Sequence, residues 1–301
     1  MVGLVDSFRI SIIGSGLVGK ATGVGFHIQG NDVIFHDIGK KKLNELSMEG
    51  YEVTNDISKS VCDSIVSFIC VQTPTVNGQI DLSYVKKAII DIAKALREKG
   101  SYHVIVVRST VLPFTTETTI VPLLEQHSQL RAGEDFGVCT NPEFLRKISA
   151  TKDFLNPNRI VIGELDKRSG DFLEKLYSPF KAPIFRTGLA TAEMIKYVAN
   201  LFLATKISFF NENYIICREL GLDPYIISEV ASLDPRIGDY GICGGKPFEG
   251  GCLHKDLKAF INFIESRKMN PKLLSAVSYI NKEMSKLTQK RDQTVKDNYK
   301  C

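Results

Sequence analysis

Ile10-Ser11-Ile12-Ile13-Gly14-Ser15-Gly16-Leu17-Val18-Gly19 decides how this chain begins to fold. The apolar run from Phe8 to Ile13 reads as a short buried strand, and three glycines spaced i, i+2 and i+5 follow it. Val18 to Ile28 then continues as a helix of small residues. Strand, glycine turn and helix, in that order, present the unpaired N–H groups of a helix N-terminus, and the glycines let the backbone approach a pyrophosphate closely. Asp32 to His36 makes a second strand, closed by Asp37. An acid there accepts hydrogen bonds from an adenosine ribose and repels a 2′-phosphate, which favours NAD over NADP. Lys40, Lys41 and Lys42 soften that preference. A glycine-rich turn in an empty Rossmann-like domain is the alternative reading of the turn.

Outward from this motif, apolar strands are expected at Ile65–Val71, His103–Val107, Phe136–Cys139 and Arg159–Ile162. Amphipathic stretches at 83–98, 115–127 and 168–177 separate several of them, so the expected fold is α/β, a Rossmann-like doubly wound parallel sheet. The character changes near Gly188. Thr191 to Leu220 is one helical pattern without proline or glycine, and helical stretches resume at 223–232, 252–266 and 271–288. The reading is therefore an NAD-binding domain over 1–187, an all-helical central domain over 188–288 and a polar tail over 289–301. An apolar helix as long as 191–220 cannot hide its surface in so small a domain, which predicts a homodimer.

The length of 301 residues allows roughly two domains at ~100–200 residues each. Charged residues at 24% and hydrophobic ones at 44% are ordinary for a globular chain. The net charge of +4 is small, and much of the basic excess lies around Lys286-Leu287-Thr288-Gln289-Lys290-Arg291, so no nucleic-acid groove is expected. Seven cysteines, at 62, 70, 139, 217, 243, 252 and 301, form no C-x-x-C pair, which argues against a disulfide framework and a structural zinc. No signal peptide or long apolar run is apparent, so the expectation is a cytoplasmic protein with no membrane or metal partner.

A second motif carries chemistry: Glu249-Gly250-Gly251-Cys252-Leu253-His254-Lys255-Asp256. A cysteine after a glycine pair sits where a helix can begin, and a helix N-terminus favours the thiolate. Lys255 and Asp256 follow at i+3 and i+4, on the same helix face, whereas His254 at i+2 points elsewhere. An activated cysteine beside a nicotinamide site suggests oxidation through a thiohemiacetal and a thioester. The other five cysteines up to Cys243 read as small buried hydrophobes.

Several segments together resemble the UDP-glucose/GDP-mannose dehydrogenase family, nucleotide-sugar dehydrogenases that oxidise a sugar alcohol to a uronic acid with two NAD per substrate. They are Gly14–Gly19, Gln72-Thr73-Pro74-Thr75, Arg108-Ser109-Thr110-Val111, Asn141-Pro142-Glu143-Phe144-Leu145-Arg146 and Asn158–Gly163. Further on come Ala192-Glu193-Met194-Ile195-Lys196-Tyr197-Val198-Ala199-Asn200, Lys206–Glu212, Asp234–Gly238 and Gly250-Gly251-Cys252 with Lys255-Asp256. The resemblance implies Cys252 as nucleophile, Glu143 as activator of the hydrolytic water, and Lys196 with Asn200 at the developing oxyanion. It implies that Thr110 and Asp256 hold the water and the lysine. Gly14, Gly16, Leu17, Val18, Gly19, Asp37, Thr73, Pro74, Thr75 and Ser109 would hold NAD. Phe144, Leu145, Arg236 and Lys255 would contact the nucleotide sugar.

The spacing supports these roles independently, because Glu193, Lys196 and Asn200 form one stripe of the long helix. A lysine stabilises an alkoxide most in a dry site, and Glu143 acts as a base if burial raises its pKa toward neutrality. Two plainer readings stand beside this: Lys196 as a surface lysine paired with Glu193, and Asn141-Pro142-Glu143 as a turn with a helix-start acid.

Three positions depart from the family pattern: Lys147 replaces an acid, Glu249 a glycine and His254 a proline. The Glu249 change matters if that backbone needs a positive φ. The chain also stops near where the family's third domain begins, so the expectation is a short form. The competing readings are a two-electron β-hydroxyacid-type dehydrogenase, which needs no cysteine, and a non-catalytic NAD-binding homologue.

Overall fold

The computed structural model describes residues 7–249 and 251–291; Gly250 and the part of the expected tail beyond 291 lie outside the described residues. The chain divides into two compact units. One comprises the described residues to Pro74 with Asp81–Lys196, the other Thr75–Ile80 with the described residues from Tyr197 onward. The division falls inside the long helix, where the sequence reading places it near 187.

The elements run β1 (Arg9–Ile13), α1 (Leu17–Ile28), β2 (Asp32–His36), α2 (Lys40–Met48), β3 (Glu52–Thr54), α3 (Ile57–Cys62), β4 (Val66–Ile69), β5 (Thr75–Val76), β6 (Gln79–Ile80) and α4 (Ser83–Lys99). Then follow β7 (Val104–Val107), a π-helical turn (Thr116–Ile120) leading into α5 (Val121–Ser128), β8 (Gly137–Thr140), α6 (Ala150–Leu155), β9 (Ile160–Glu164), α7 (Lys167–Tyr177) and β10 (Ile184–Gly188). The helices α8 (Leu189–Glu219), α9 (Pro224–Ser232), α10 (Cys252–Ser266) and α11 (Lys272–Arg291) complete the described chain.

In the first unit eight strands form one sheet in the order β10-β9-β8-β7-β4-β1-β2-β3. The segment from β3 to β8 is the doubly wound order, with its reversal between β1 and β4, where the crevice at the strand ends takes a ligand. β1 sends Ile10 and Ile12 into a core cluster with Phe26, Phe68, Phe154 and Tyr177. Its Ile13 joins Ile89, Ile92, Leu96 and Leu124 in a second cluster. Each fully buried side chain such as Phe26 or Ile12 contributes about 1.5–3 kcal/mol.

The sheet is not wholly parallel, because β8 and β9 pair antiparallel while the other neighbouring strands are parallel. The reason lies in the connection. Residues 141–159 carry only the six-residue α6, and the chain turns back at the end of β8 instead of crossing the sheet. That keeps Asn141-Pro142-Glu143 on the ligand edge. At the far margin Arg186 of β10 bonds Glu164 (2.6 Å), Asp171 (2.5 Å) and Glu174 (2.8 Å).

In the second unit β5 and β6 form a hairpin turned by Asn77 (φ 51°) and Gly78 (φ 79°), the paired left-handed residues of a type I′ turn. The hairpin packs on α10, and the Thr75 hydroxyl donates to the Lys255 carbonyl at 3.3 Å. The segment before α10 is fixed by two buried asparagines. Asn211 bonds Lys246 and Gly245, and Asn281 bonds both the N–H and the carbonyl of Phe248. Along α8, Val198, Phe202, Phe209 and Ile216 are exposed. No described helix is long and apolar enough to cross a membrane.

Candidate active site

The glycine turn is built for close approach. Gly14 stands at φ 96°, and a β-carbon on it would lie 2.9 Å from the Cys70–Val71 peptide. A β-carbon on Gly19 would lie 1.9 Å from the Gly14 carbonyl, so only glycine lets α1 pack this tightly on the turn. Gly16 faces open space and caps α1 without a side-chain hydrogen bond, which leaves the helix N–H groups available. Leu17 is exposed at the start of α1, with Val18 half-buried behind it.

Asp37 accepts from the Ser15 amide (2.8 Å), the Gly39 amide (2.8 Å) and Lys42 (3.3 Å). Burial pushes its carboxyl up, but these donors outweigh burial and hold it below its ordinary value. Across the turn, the Ser109 hydroxyl donates to Val71 (2.6 Å) and the Thr73 hydroxyl to the Thr110 carbonyl (2.8 Å), tying the 71–74 loop to Ser109–Thr110. Pro74 ends this loop, and Thr75 begins the hairpin of the second unit.

The centre of the first unit's site is a buried ion pair. Lys196 bonds the Glu143 carboxylate at 2.9 Å and the Glu143 carbonyl at 2.6 Å, and both side chains are about 5% exposed. Lys196 is therefore not a surface lysine, and its partner is not Glu193. Glu143 starts no helix either, since α6 begins only at Ala150. Its other oxygen accepts from the Leu145 amide at 2.6 Å. Burial pushes the Glu143 carboxyl up, yet Lys196, the Leu145 amide and the charge of Arg108 hold it below its ordinary value. The expectation of a carboxyl raised toward neutrality is thus corrected: an adjacent cation outweighs burial. Arg108 is itself buried, donating to the Asn141 carbonyl, the Asn141 side chain and the Tyr177 hydroxyl. Phe144 lies under Arg159, whose guanidinium is 3.8 Å from the ring centroid.

Sequence reasoning missed the role of Glu193. It accepts from the Thr116 amide (2.9 Å) and hydroxyl (2.6 Å) on the π-helical turn. Its position three residues before Lys196, on a buried stripe, was the available signal.

The second unit has its own cluster. Cys252 is exposed and is the first residue of α10, with Gly251 at the N-cap. One turn on, Asp256 is fully buried and accepts from Asn200 (2.7 Å) and Lys255 (2.6 Å). His254 is half-buried on α10, and burial lowers its pKa. Glu249 accepts from the Ser285 hydroxyl and is absent from the left-handed positions, so its replacement of a glycine carries no backbone strain. Arg236 is 88% exposed and paired with Asp234 at 2.6 Å. Of the remaining cysteines, Cys139 and Cys217 are buried as expected, whereas Cys62 and Cys243 are exposed.

Residues 44–181 match the NAD binding domain of the UDP-glucose/GDP-mannose dehydrogenase family, and residues 190–283 match its central domain. The chain is 41% identical over 274 residues to the GDP-mannose 6-dehydrogenase of Pseudomonas aeruginosa, covering 83% of this chain and 63% of that protein. It is 35% identical to the UDP-glucose 6-dehydrogenase AglM of Haloferax volcanii, covering 91% and 69%. The structure of a UDP-glucose dehydrogenase from Pyrobaculum islandicum matches with a TM-score of 0.89 at 34% identity, over 94% of this chain and 70% of that one.

The chain belongs to the UDP-glucose/GDP-mannose dehydrogenase family. It spans a little under two thirds of the length of the Pseudomonas aeruginosa relative.

Proposed function

We propose that the protein oxidises the primary alcohol of a nucleotide sugar to the uronic acid in two NAD-dependent steps, through a thioester on Cys252. The observation that carries this reading is Cys252 at the exposed start of α10, one turn ahead of a buried Asp256 fixed by Asn200. Membership of the family, with relatives named for GDP-mannose and UDP-glucose oxidation, supports it. The open Gly16, the uncapped α1 N-terminus and Asp37 suit a dinucleotide, held further by Gly14, Gly19, Leu17, Val18, Thr73, Pro74, Thr75 and Ser109. When bound, NAD accepts the hydride released in each oxidation.

The alcohol loses a hydride and a proton to give the aldehyde. The Cys252 sulfur bonds to the aldehyde carbon, its proton leaves, and loss of the second hydride from that carbon leaves a thioester. Water adds, Glu143 takes its proton, the C–S bond breaks and the carboxylate departs. Lys196 and Asn200 steady the oxyanion. A lysine that turns from Glu143 to the oxyanion also frees Glu143 to take a proton, which couples the two roles. Thr110 and Asp256 hold the water and the lysine, while Phe144, Leu145, Lys255 and Arg236 contact the substrate.

The test is NADH formation with UDP-glucose and GDP-mannose, read beside uronate. Two NADH per sugar and loss of uronate in Cys252→Ser are expected. Full turnover in that variant, or one NADH per sugar, would replace this reading with a two-electron dehydrogenase.

The exposed stripe of α8 and the apolar Ile226, Ile227 and Val230 of α9 support a homodimer through this face. A cavity of about 550 Å³ there is lined by Phe202, Phe209, Phe210 and Ile237. Light scattering that gives the monomer mass at micromolar concentration would refute it. A cytoplasmic location fits the same reading.

A further inference from the structure

Two helix starts of the first unit are capped by each other's carboxylates. Glu193 of α8 accepts from the Thr116 amide and hydroxyl, while Glu117 of the π-helical turn accepts from the Ala190 amide at 3.4 Å. Each carboxylate thus satisfies unpaired N–H groups of the other helix. The exchange is unequal. Glu117 is exposed, whereas Glu193 is 2% exposed and its Oε2 is buried without a hydrogen-bond partner.

Just before the cap, Phe114 stands at φ 75°, a left-handed conformation that a bulky side chain avoids. Strain of this kind persists only where neighbouring contacts hold it. The strained stretch leads back to Thr110 and Ser109, which tie down the 71–74 loop. From the other side, the Thr140 hydroxyl at the end of β8 donates to the Thr116 hydroxyl at 3.3 Å.

We propose that Glu193 is a positioning residue that latches the Ser109–Thr116 segment, and that the latch loosens when Glu193 ionises. The segment's value to catalysis rests on the functional reading above; the latch does not. The groups facing Glu193 decide the sign. Burial pushes its carboxyl up to about 7, overcoming the Thr116 bonds and the Phe114 backbone, which favour the anion. Glu117 adds to the upward push, Thr140 is uncharged, and Lys196, one turn along, is taken by Glu143. An opened latch puts the carboxyl in water, where it titrates near 4.5. Opening is therefore favoured as pH rises between these two values, by up to about tenfold per pH unit, and levels off above 7.

Hydrogen–deuterium exchange on the full chain tests this. Peptides spanning residues 109–120, corrected for intrinsic exchange rates, should open more as pH rises from about 5 to 7 and then plateau. Glu193→Gln keeps an acceptor oxygen and removes the titration, so its opening should be independent of pH. Glu193→Ala should be open throughout. A flat wild-type response, or the same slope in wild type and Glu193→Gln, would overturn the proposal. Turnover read on the same samples separates the two claims: exchange as expected with uronate formation insensitive to the latch sinks the role given to Thr110, not the latch.

Discussion

Glu143 and Glu193 are buried almost equally, at 6% and 2% exposure, yet they titrate in opposite directions. Burial pushes both carboxyls up. Glu143 ends below its ordinary value because Lys196 sits 2.9 Å away and Arg108 lies behind it. Glu193 has only neutral donors and an acidic neighbour, and it ends near 7. The partner, not the depth, sets the protonation state. The stability signs follow. The Glu143 contribution is present above the unfolded carboxyl value and is lost as pH falls through its lowered folded value. The Glu193 contribution is full below the unfolded value and is lost as pH rises toward 7.

The contrast is broken most directly at Lys196. Lys196→Met leaves the Glu143 anion buried without its cation and should cost roughly 3–5 kcal/mol in urea unfolding at neutral pH. The double variant with Glu143→Gln should recover part of that loss, and a cost near zero would show that depth alone governs both groups. Next in size, Glu193→Gln should stabilise the protein at pH 8 by roughly 1–3 kcal/mol, with the gain vanishing near pH 4.5. Unfolding curves across pH check this, and an acid-side gain would reverse the assigned sign. The smallest effect is expected where the partner is in water. Arg146 bonds Asp153 at 2.6 Å but is 65% exposed. Arg146→Ala should therefore cost roughly 0–1 kcal/mol, less in high salt.

The local parts of this architecture were legible in the chain. The Gly14–Gly19 turn, Asp37 and the long helix, expected at 191–220 and found at Leu189–Glu219, all express short-range periodicity and turn chemistry. The partner of Lys196 was not legible. Glu193 is the near neighbour in sequence, but Glu143 is brought in by the end of β8, and only the sheet order decides between them. The antiparallel entry into β9 escaped for the same reason, because strand composition does not encode direction. The direction of the Glu143 titration depends on that same partner. The β5–β6 hairpin could have been found, since Asn77-Gly78 is the strongest short turn signal.

The two open margins of the eight-stranded sheet have a consequence for assembly. At β10 a guanidinium is held by three carboxylates; at β3 Glu52 is bound by Arg9 and lies 3.7 Å from Lys59. A foreign strand docking on either margin would have to strip water from these ions without replacing their hydration. The sheet is thereby insulated against edge-to-edge polymerisation.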